Sequence, residues 1–282
     1  MQKIDVPAKD GAVIPTIFYN VEESDKKAIV IICHGFGEHS ASYIELAETF
    51  WKAGYASVIH DQRGHGTPPE GVKAWRGLIP NYQCFIDDVV SVTEAAREMS
   101  PDVPIILFGH SMGGNIVTST LLKLPPEQAK AYACAVLESP WFGLHVSPGI
   151  VMRCMVSVLN RIAPKVTIVN KLNHEDLSSN KERAEGYLTD PLYHGVISMR
   201  MISGILKACG YALENADRLP VPVYLAYAGG EKVVSNTAIK EFAEKAGDTV
   251  ELKEYDSCHA IHNDDNRETY CRDVAAFFDA HI

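Results

Sequence analysis

Gly109, Ser111 and Gly113 stand in the run Leu107-Phe108-Gly109-His110-Ser111-Met112-Gly113-Gly114, a G-x-S-x-G whose chemistry is that of a serine nucleophile. Val103 to Phe108 is rich in β-formers and Asn115 to Leu124 suits a helix. Ser111 therefore falls on a sharp strand-to-helix turn that holds its Oγ clear of the backbone. A serine at such an elbow adopts a positive φ, and side chains at 109 or 113 would meet the neighbouring strand and helix, so glycines flank it. A helix N-cap serine is the bland alternative.

A serine hydroxyl is a weak nucleophile near neutral pH and needs a base, itself oriented by an acid. Among 11 histidines the best placed is His259, in the loop Asp256-Ser257-Cys258-His259 after an expected strand; His262 is its rival. Loops at the carboxyl ends of parallel strands converge, which brings such a position within reach of Ser111. The acid of choice is Glu231, in Gly229-Gly230-Glu231-Lys232 after another strand, giving the chain order Ser111, Glu231, His259. Glu138, at a different strand end, and Asp256 remain open as acids. His259, His262 and Asp264 also suggest a metal site, but no further ligand motif accompanies them, and no metal or organic cofactor is expected.

A tetrahedral intermediate needs two backbone donors. The expected pair is the N–H of Met112, after the nucleophile, and that of Phe36 in the glycine-containing loop His34-Gly35-Phe36-Gly37-Glu38-His39. Glu38 and the histidines there read as loop stabilisers. Arg63 and His65, in Asp61-Gln62-Arg63-Gly64-His65-Gly66, read as loop anchors.

The elements that must position these residues alternate along the chain. Strands are expected over Val13 to Tyr19, Ala28 to Cys33, Ala56 to His60, Val103 to Phe108, Ala133 to Leu137, Val221 to Ala228 and Thr249 to Tyr255. Helices are expected over Tyr43 to Ala53, Tyr82 to Met99, Gly114 to Leu124, Thr237 to Ala246 and Arg267 to Ala280. The interleaving predicts an α/β fold, a mostly parallel central sheet flanked by helices. From Ser139 to Leu219 the alternation stops, which predicts a helical cap inserted between two parts of one core, residues 1–138 and 220–282. Within it, Ile150, Val151, Met155, Val158, Leu159 and Ile162 share one helical face; Met152 and Met155 are the expected adaptable wall of an acyl pocket.

A formal charge of −10 without a basic run argues against nucleic acid and against an anionic membrane surface. No apolar h-region opens the chain and no apolar stretch is long enough to span a bilayer, so neither secretion nor stable membrane insertion is expected. The seven cysteines are odd in number, scattered and mostly in apolar contexts, as for reduced core thiols in the cytoplasm. The sequence sets no oligomeric state.

Taken in order, His34 to His39, Asp61 to Gly66 and Gly109 to Gly114 resemble the three signature stretches of the monoglyceride lipase and lysophospholipase group of α/β-hydrolases. Asp190-Pro191-Leu192-Tyr193-His194-Gly195 resembles a late cap segment of that group, and His259-Ala260-Ile261-His262-Asn263-Asp264 its catalytic-histidine loop. The resemblance implies a serine carboxylic ester hydrolase with nucleophile Ser111, base His259 and oxyanion amides at Phe36 and Met112. It also implies a lipid-like ester such as a monoacylglycerol. Two positions depart: the group commonly has Asp where Glu231 stands and Glu where Ala260 stands. A small-ester esterase, an acyltransferase or peptidase on the same triad, and a non-catalytic binding protein are the alternatives.

Overall fold

Ala28–Cys33, Tyr55–His60, Ile105–His110 and Val223–Ala228 contain no Asp, Glu, Lys or Arg, and every residue in them is buried. Such runs suit strands covered on both faces. In the computed structural model, which describes residues 1–68, 75–170 and 173–282, they form the middle of an eight-stranded sheet. The sheet comprises β1 (Gln2–Pro7), β2 (Val13–Tyr19), β3 (Ala28–Cys33), β4 (Tyr55–His60), β5 (Ile105–His110), β6 (Ala135–Glu138), β9 (Val223–Ala228) and β10 (Val250–Tyr255), in the order β1-β2-β4-β3-β5-β6-β9-β10. Every neighbouring pair is parallel except the two made by β2.

Helices α1 (Ile44–Lys52) and α9 (Arg267–His281) contribute to the apolar layer on one face, where Phe50, Phe108 and Phe278 meet. On the other face lie α2 (Gln83–Met99), α3 (Met112–Lys123), α7 (Met199–Glu214) and α8 (Asn236–Ala246), around a core that includes Phe85, Ile116, Ile205 and Phe242. A single turn, α4 (Pro126–Ala129), follows α3. All seven expected strands and all five expected helices occur, with ends shifted by a residue or two. Sequence reading missed β1, four of whose first residues are exposed: an edge strand held by its ladder with β2 shows no buried period.

The segment after β6 holds α5 (Ile150–Ile162), β7 (Thr167–Val169), α6 (Lys181–Thr189) and β8 (Val196–Ser198), and then α7. Residues 171 and 172 of the expected insertion lie outside the described residues. The insertion is not purely helical, because β7 and β8 pair as a short antiparallel ladder. Its last helix, α7, is capped by the Ser198 side chain and packs Met201, Ile205, Ala208 and Ala212 into the main core, so it forms part of the helical layer on the sheet. Not all of the cysteines are the core thiols that the sequence led one to expect. All seven are free thiols, but Cys154 is exposed and Cys258 only partly buried, so these two are not core residues.

Candidate active site

Ser111 sits between β5 and α3 with φ 52° and ψ −114°. This strained turn is fixed from both sides: its N–H donates to the Glu138 carbonyl (2.9 Å), and its carbonyl accepts from Trp141 (2.9 Å) and Asn115 (3.2 Å). The flanking glycines are required by contact. A Cβ at Gly109 would lie 2.4 Å from the Gly113 carbonyl oxygen, and one at Gly113 would lie 2.0 Å from the Cys33 carbonyl oxygen at the end of β3.

The carboxyl ends of β9 and β10 bring the next two groups together. Glu231 Oε2 lies 2.7 Å from His259 Nδ1, and both residues are buried. The other oxygen, Oε1, accepts from the N–H groups of Val233 (2.7 Å) and Val234 (3.1 Å), so the carboxylate is locked in orientation. Burial pushes the Glu231 carboxyl up, but the His259 charge and these hydrogen bonds outweigh it and hold it below its ordinary value. For His259 burial disfavours the imidazolium, yet the charge and hydrogen bond of Glu231, with Glu38 and Glu138 behind, more than offset it and raise the imidazole above its ordinary 6.5.

None of the rival carboxylates bonds the His259 ring among the described residues. Asp256 is exposed, and its carbonyl accepts from Asn266. Asp264 accepts from Cys258 N–H (2.5 Å) and the Ser257 hydroxyl (2.9 Å) and so ties down the histidine loop. Glu138 and His262 bond to each other, at 2.7 Å. Ala260 is fully buried and its N–H donates to the carbonyl of Leu177 (2.9 Å), so a glutamate there would have to bury its charge.

The loop after β3 is braced by Glu38, which accepts from Gly35 N–H (2.7 Å) and from the Tyr43 hydroxyl (2.5 Å). At Gly37, φ is +80° and an added Cβ would lie 2.3 Å from the His194 carbonyl oxygen, so only glycine lets the backbone at His194 approach. Among the described residues no backbone carbonyl accepts from the N–H of Phe36 or of Met112. Arg63 bridges Asp88 and Asp10, with all four contacts at 2.7–2.9 Å, while His65 stacks on His194 at 4.9 Å.

Ser111, His259 and Phe36 line one cavity of about 920 Å³. Its other walls come from residues that sequence reading did not select, among them Trp141, Leu144, Leu177, Tyr187 and Leu188. Tyr193 and His194 do fall in a segment singled out in the sequence. Met152 and Met155 are not on the wall. They are half-exposed on α5, of which only Val156 is buried, so the apolar face of that helix turns outward.

The sequence profile described as serine aminopeptidase, S33, matches residues 24–266. The chain belongs to this family. Among curated relatives of this S33 member, phospholipase YtpA of Bacillus subtilis is 30% identical over 258 residues, covering 90% of this chain and 96% of its own. A monoacylglycerol lipase of Mycolicibacterium smegmatis is 27% identical over 271 residues, covering 94% of each. The solved monoacylglycerol lipase of Paleococcus ferrophilus superposes with a TM-score of 0.83 over 100% of both chains at 23% identity, a likeness of fold. The S33 chain is thus a serine hydrolase on the α/β-hydrolase fold, similar to the monoglyceride lipase and lysophospholipase group.

Proposed function

We propose that this protein hydrolyses carboxylic esters of monoacyl lipids through an acyl-enzyme on Ser111, with His259 as base, Glu231 as its orienting acid and the Phe36 and Met112 amides as the oxyanion hole. The observation that carries the reading is the 2.7 Å contact of Glu231 with His259, with His259 and Ser111 on the wall of the same cavity. Ser111 Oγ attacks the ester carbonyl as His259 Nε2 takes its proton; the tetrahedral oxyanion rests on the two amides. His259 then protonates the leaving alcohol and, in the second half, deprotonates the water that frees the acid. The bond to Glu231 keeps the Nδ1 proton in place, so that Nε2 is the basic nitrogen, and steadies the imidazolium formed in each half.

A lipid substrate is supported by the mouth of the cavity. Val146, Val169 and Leu188 both line it and stand 80%, 65% and 65% exposed, and on α5 Ile150, Val151, Val158 and Ile162 are exposed as well. Exposed apolar side chains at the mouth suit an amphiphilic substrate met at its aggregate. Despite the overall −10, no Asp or Glu lies between Glu138 and Glu175, whereas Arg153, Arg161, Lys165 and Lys171 do. No helix among the described residues is long and apolar enough to cross a membrane, and we read the protein as resting at lipid surfaces without spanning them, in the cytoplasm.

The test is steady-state turnover of p-nitrophenyl esters of rising acyl length, of 1-monoacylglycerols and of an aminoacyl p-nitroanilide. A medium- or long-chain preference with monoacylglycerol hydrolysis is expected. A short-chain optimum without it would make the protein a small-ester esterase, and preferential anilide cleavage a peptidase.

A further inference from the structure

The acid and base that competed with Glu231 and His259 form a second His–carboxylate pair. Glu138, at the end of β6, has no exposed surface; its Oε1 accepts from His262 Nδ1 (2.7 Å) and from His262 N–H (3.2 Å). The same Oε1 lies 3.3 Å from Nδ1 of His110, the residue opposite Glu138 in the β5–β6 ladder and immediately before Ser111. The His110 ring packs against both histidines, 4.8 Å from His259 and 5.2 Å from His262 between centroids. Behind His262 stands Tyr43, stacked at 4.8 Å, whose hydroxyl binds the Glu38 that braces the oxyanion loop. One buried carboxylate thus underlies the nucleophile's strand, the base's loop and, through Tyr43, the oxyanion loop.

Donor atoms of His110, Glu138 and His262 lie within 4.8 Å of one another, a spacing that a metal ion could also use. However, two N–H groups of His262 already converge on one Glu138 oxygen, which makes the carboxylate a hydrogen-bond acceptor here. Such a charge is costly to bury unless it is paired and hydrogen-bonded, as it is here. Burial pushes the Glu138 carboxyl up, and His262 and His110 outweigh that, so it is held ionised, well below the usual carboxylate range.

We propose that Glu138 is a positioning residue for the acyl transfer set out above: paired with His262, it holds His110 against the ring of His259 and sets a fixed negative charge behind that ring. The inference rests on the assignment of Ser111 and His259. The titratable groups facing His259 are Glu231 from the β9 loop, Glu38 from the β3 loop, His110 from β5 and Glu138 from β6. The cap adds the carbonyl of Asp176, whose carboxylate is taken by Lys232.

The test is Glu138→Gln, nearly isosteric and still able to accept from His262, with Glu138→Asp as the charge-retaining comparison. Glu138→Gln is expected to lower kcat by roughly ten- to a hundredfold with KM little changed. Because a negative neighbour favours the imidazolium, its loss also lets His259 stay neutral at lower pH, so the acid limb of kcat/KM moves to lower pH. Glu138→Asp should keep the wild-type limb and recover part of kcat; if Glu138→Gln does not fold, the Asp variant alone carries the test through its partial loss of kcat. A Glu138→Gln enzyme that melts lower but keeps the wild-type pH limb and kcat would overturn the proposal, as would a fully active Asp variant where Gln cannot be made. Labelling of wild-type Ser111 by a fluorophosphonate is run beside it. Labelled wild type with an unmoved profile sinks this inference alone, whereas an unlabelled wild type sinks the assignment beneath it.

Discussion

Gly113→Ala should damage this protein far more than one methyl suggests. The added Cβ would sit 2.0 Å from the Cys33 carbonyl oxygen, 2.6 Å from its carbon and 2.7 Å from the His34 carbonyl oxygen. Ordinary contact begins at 3.4 Å, so more than an ångström must be found, and all three obstacles are backbone. No side chain can rotate away: either the end of β3 or the start of α3 has to move. Overpacking of this kind costs about 3 kcal/mol or more, and that lowers the melting temperature of a domain this size by roughly 6–12 °C. The moving parts carry the two proposed oxyanion amides, Phe36 and Met112, and a misplacement of about 1 Å there costs on the order of a hundredfold in kcat. The matched control is Gly210→Ala in the interior of α7, where nothing lies within 4 Å of the new Cβ. There the same substitution should stabilise by about 0.5–1 kcal/mol through helix propensity, with activity unchanged. Differential scanning fluorimetry and ester turnover on both variants decide the matter. If Gly113→Ala keeps wild-type melting and kcat, the contact argument for the elbow is refuted.

Further expectations concern the charges and the cap. Glu231→Gln should lower kcat by roughly 10³- to 10⁴-fold with little change in KM, as for a triad that has lost its orienting carboxylate; a loss under tenfold would point to a different acid. Since the His259 imidazole is raised above 6.5 and must be neutral to act, kcat/KM should rise with pH through a midpoint above 6.5, and a midpoint below it would contradict the coupling to Glu231 and its neighbours. Arg63→Met strips the partner from buried Asp88 and should destabilise by about 3–5 kcal/mol in urea titration, with the folded fraction still active; an unchanged midpoint would show that Arg63 is no anchor. Leu188→Asp at the cavity mouth should cut turnover of long-chain monoacylglycerol about tenfold or more, since the apolar contact offered to the acyl chain is replaced by a charge, while p-nitrophenyl acetate turnover stays within twofold, roughly the scatter of a surface change. Equal loss on both substrates would show a catalytic rather than a lipid-binding defect.

Much of the scaffold was legible because buried parallel strands leave uninterrupted apolar runs and their covering helices leave a period. Glu231 and His259 could be chosen because both follow strands at the same end of the sheet. Strand ends alone do not single them out, since Glu138 also ends a strand and His262 shares the loop of His259; both rivals reach the same region, where they bind each other. Side-chain periodicity likewise located α5 and its apolar face but not the direction of that face. Met152 and Met155 were expected inward and stand half-exposed, because α5 buries only Val156 and leaves its apolar stripe to solvent. The ladder of β7 and β8 was missed because three-residue strands leave no period to read.

The most direct measurement of the central claim is peptide mass spectrometry of the protein after a brief incubation with a p-nitrophenyl ester and acid quench, on wild type and Ser111→Ala. The account predicts one acyl group on Ser111, a burst of p-nitrophenol equal to the enzyme present, and neither in Ser111→Ala. An acyl group on another residue, or undiminished turnover by Ser111→Ala, would contradict it.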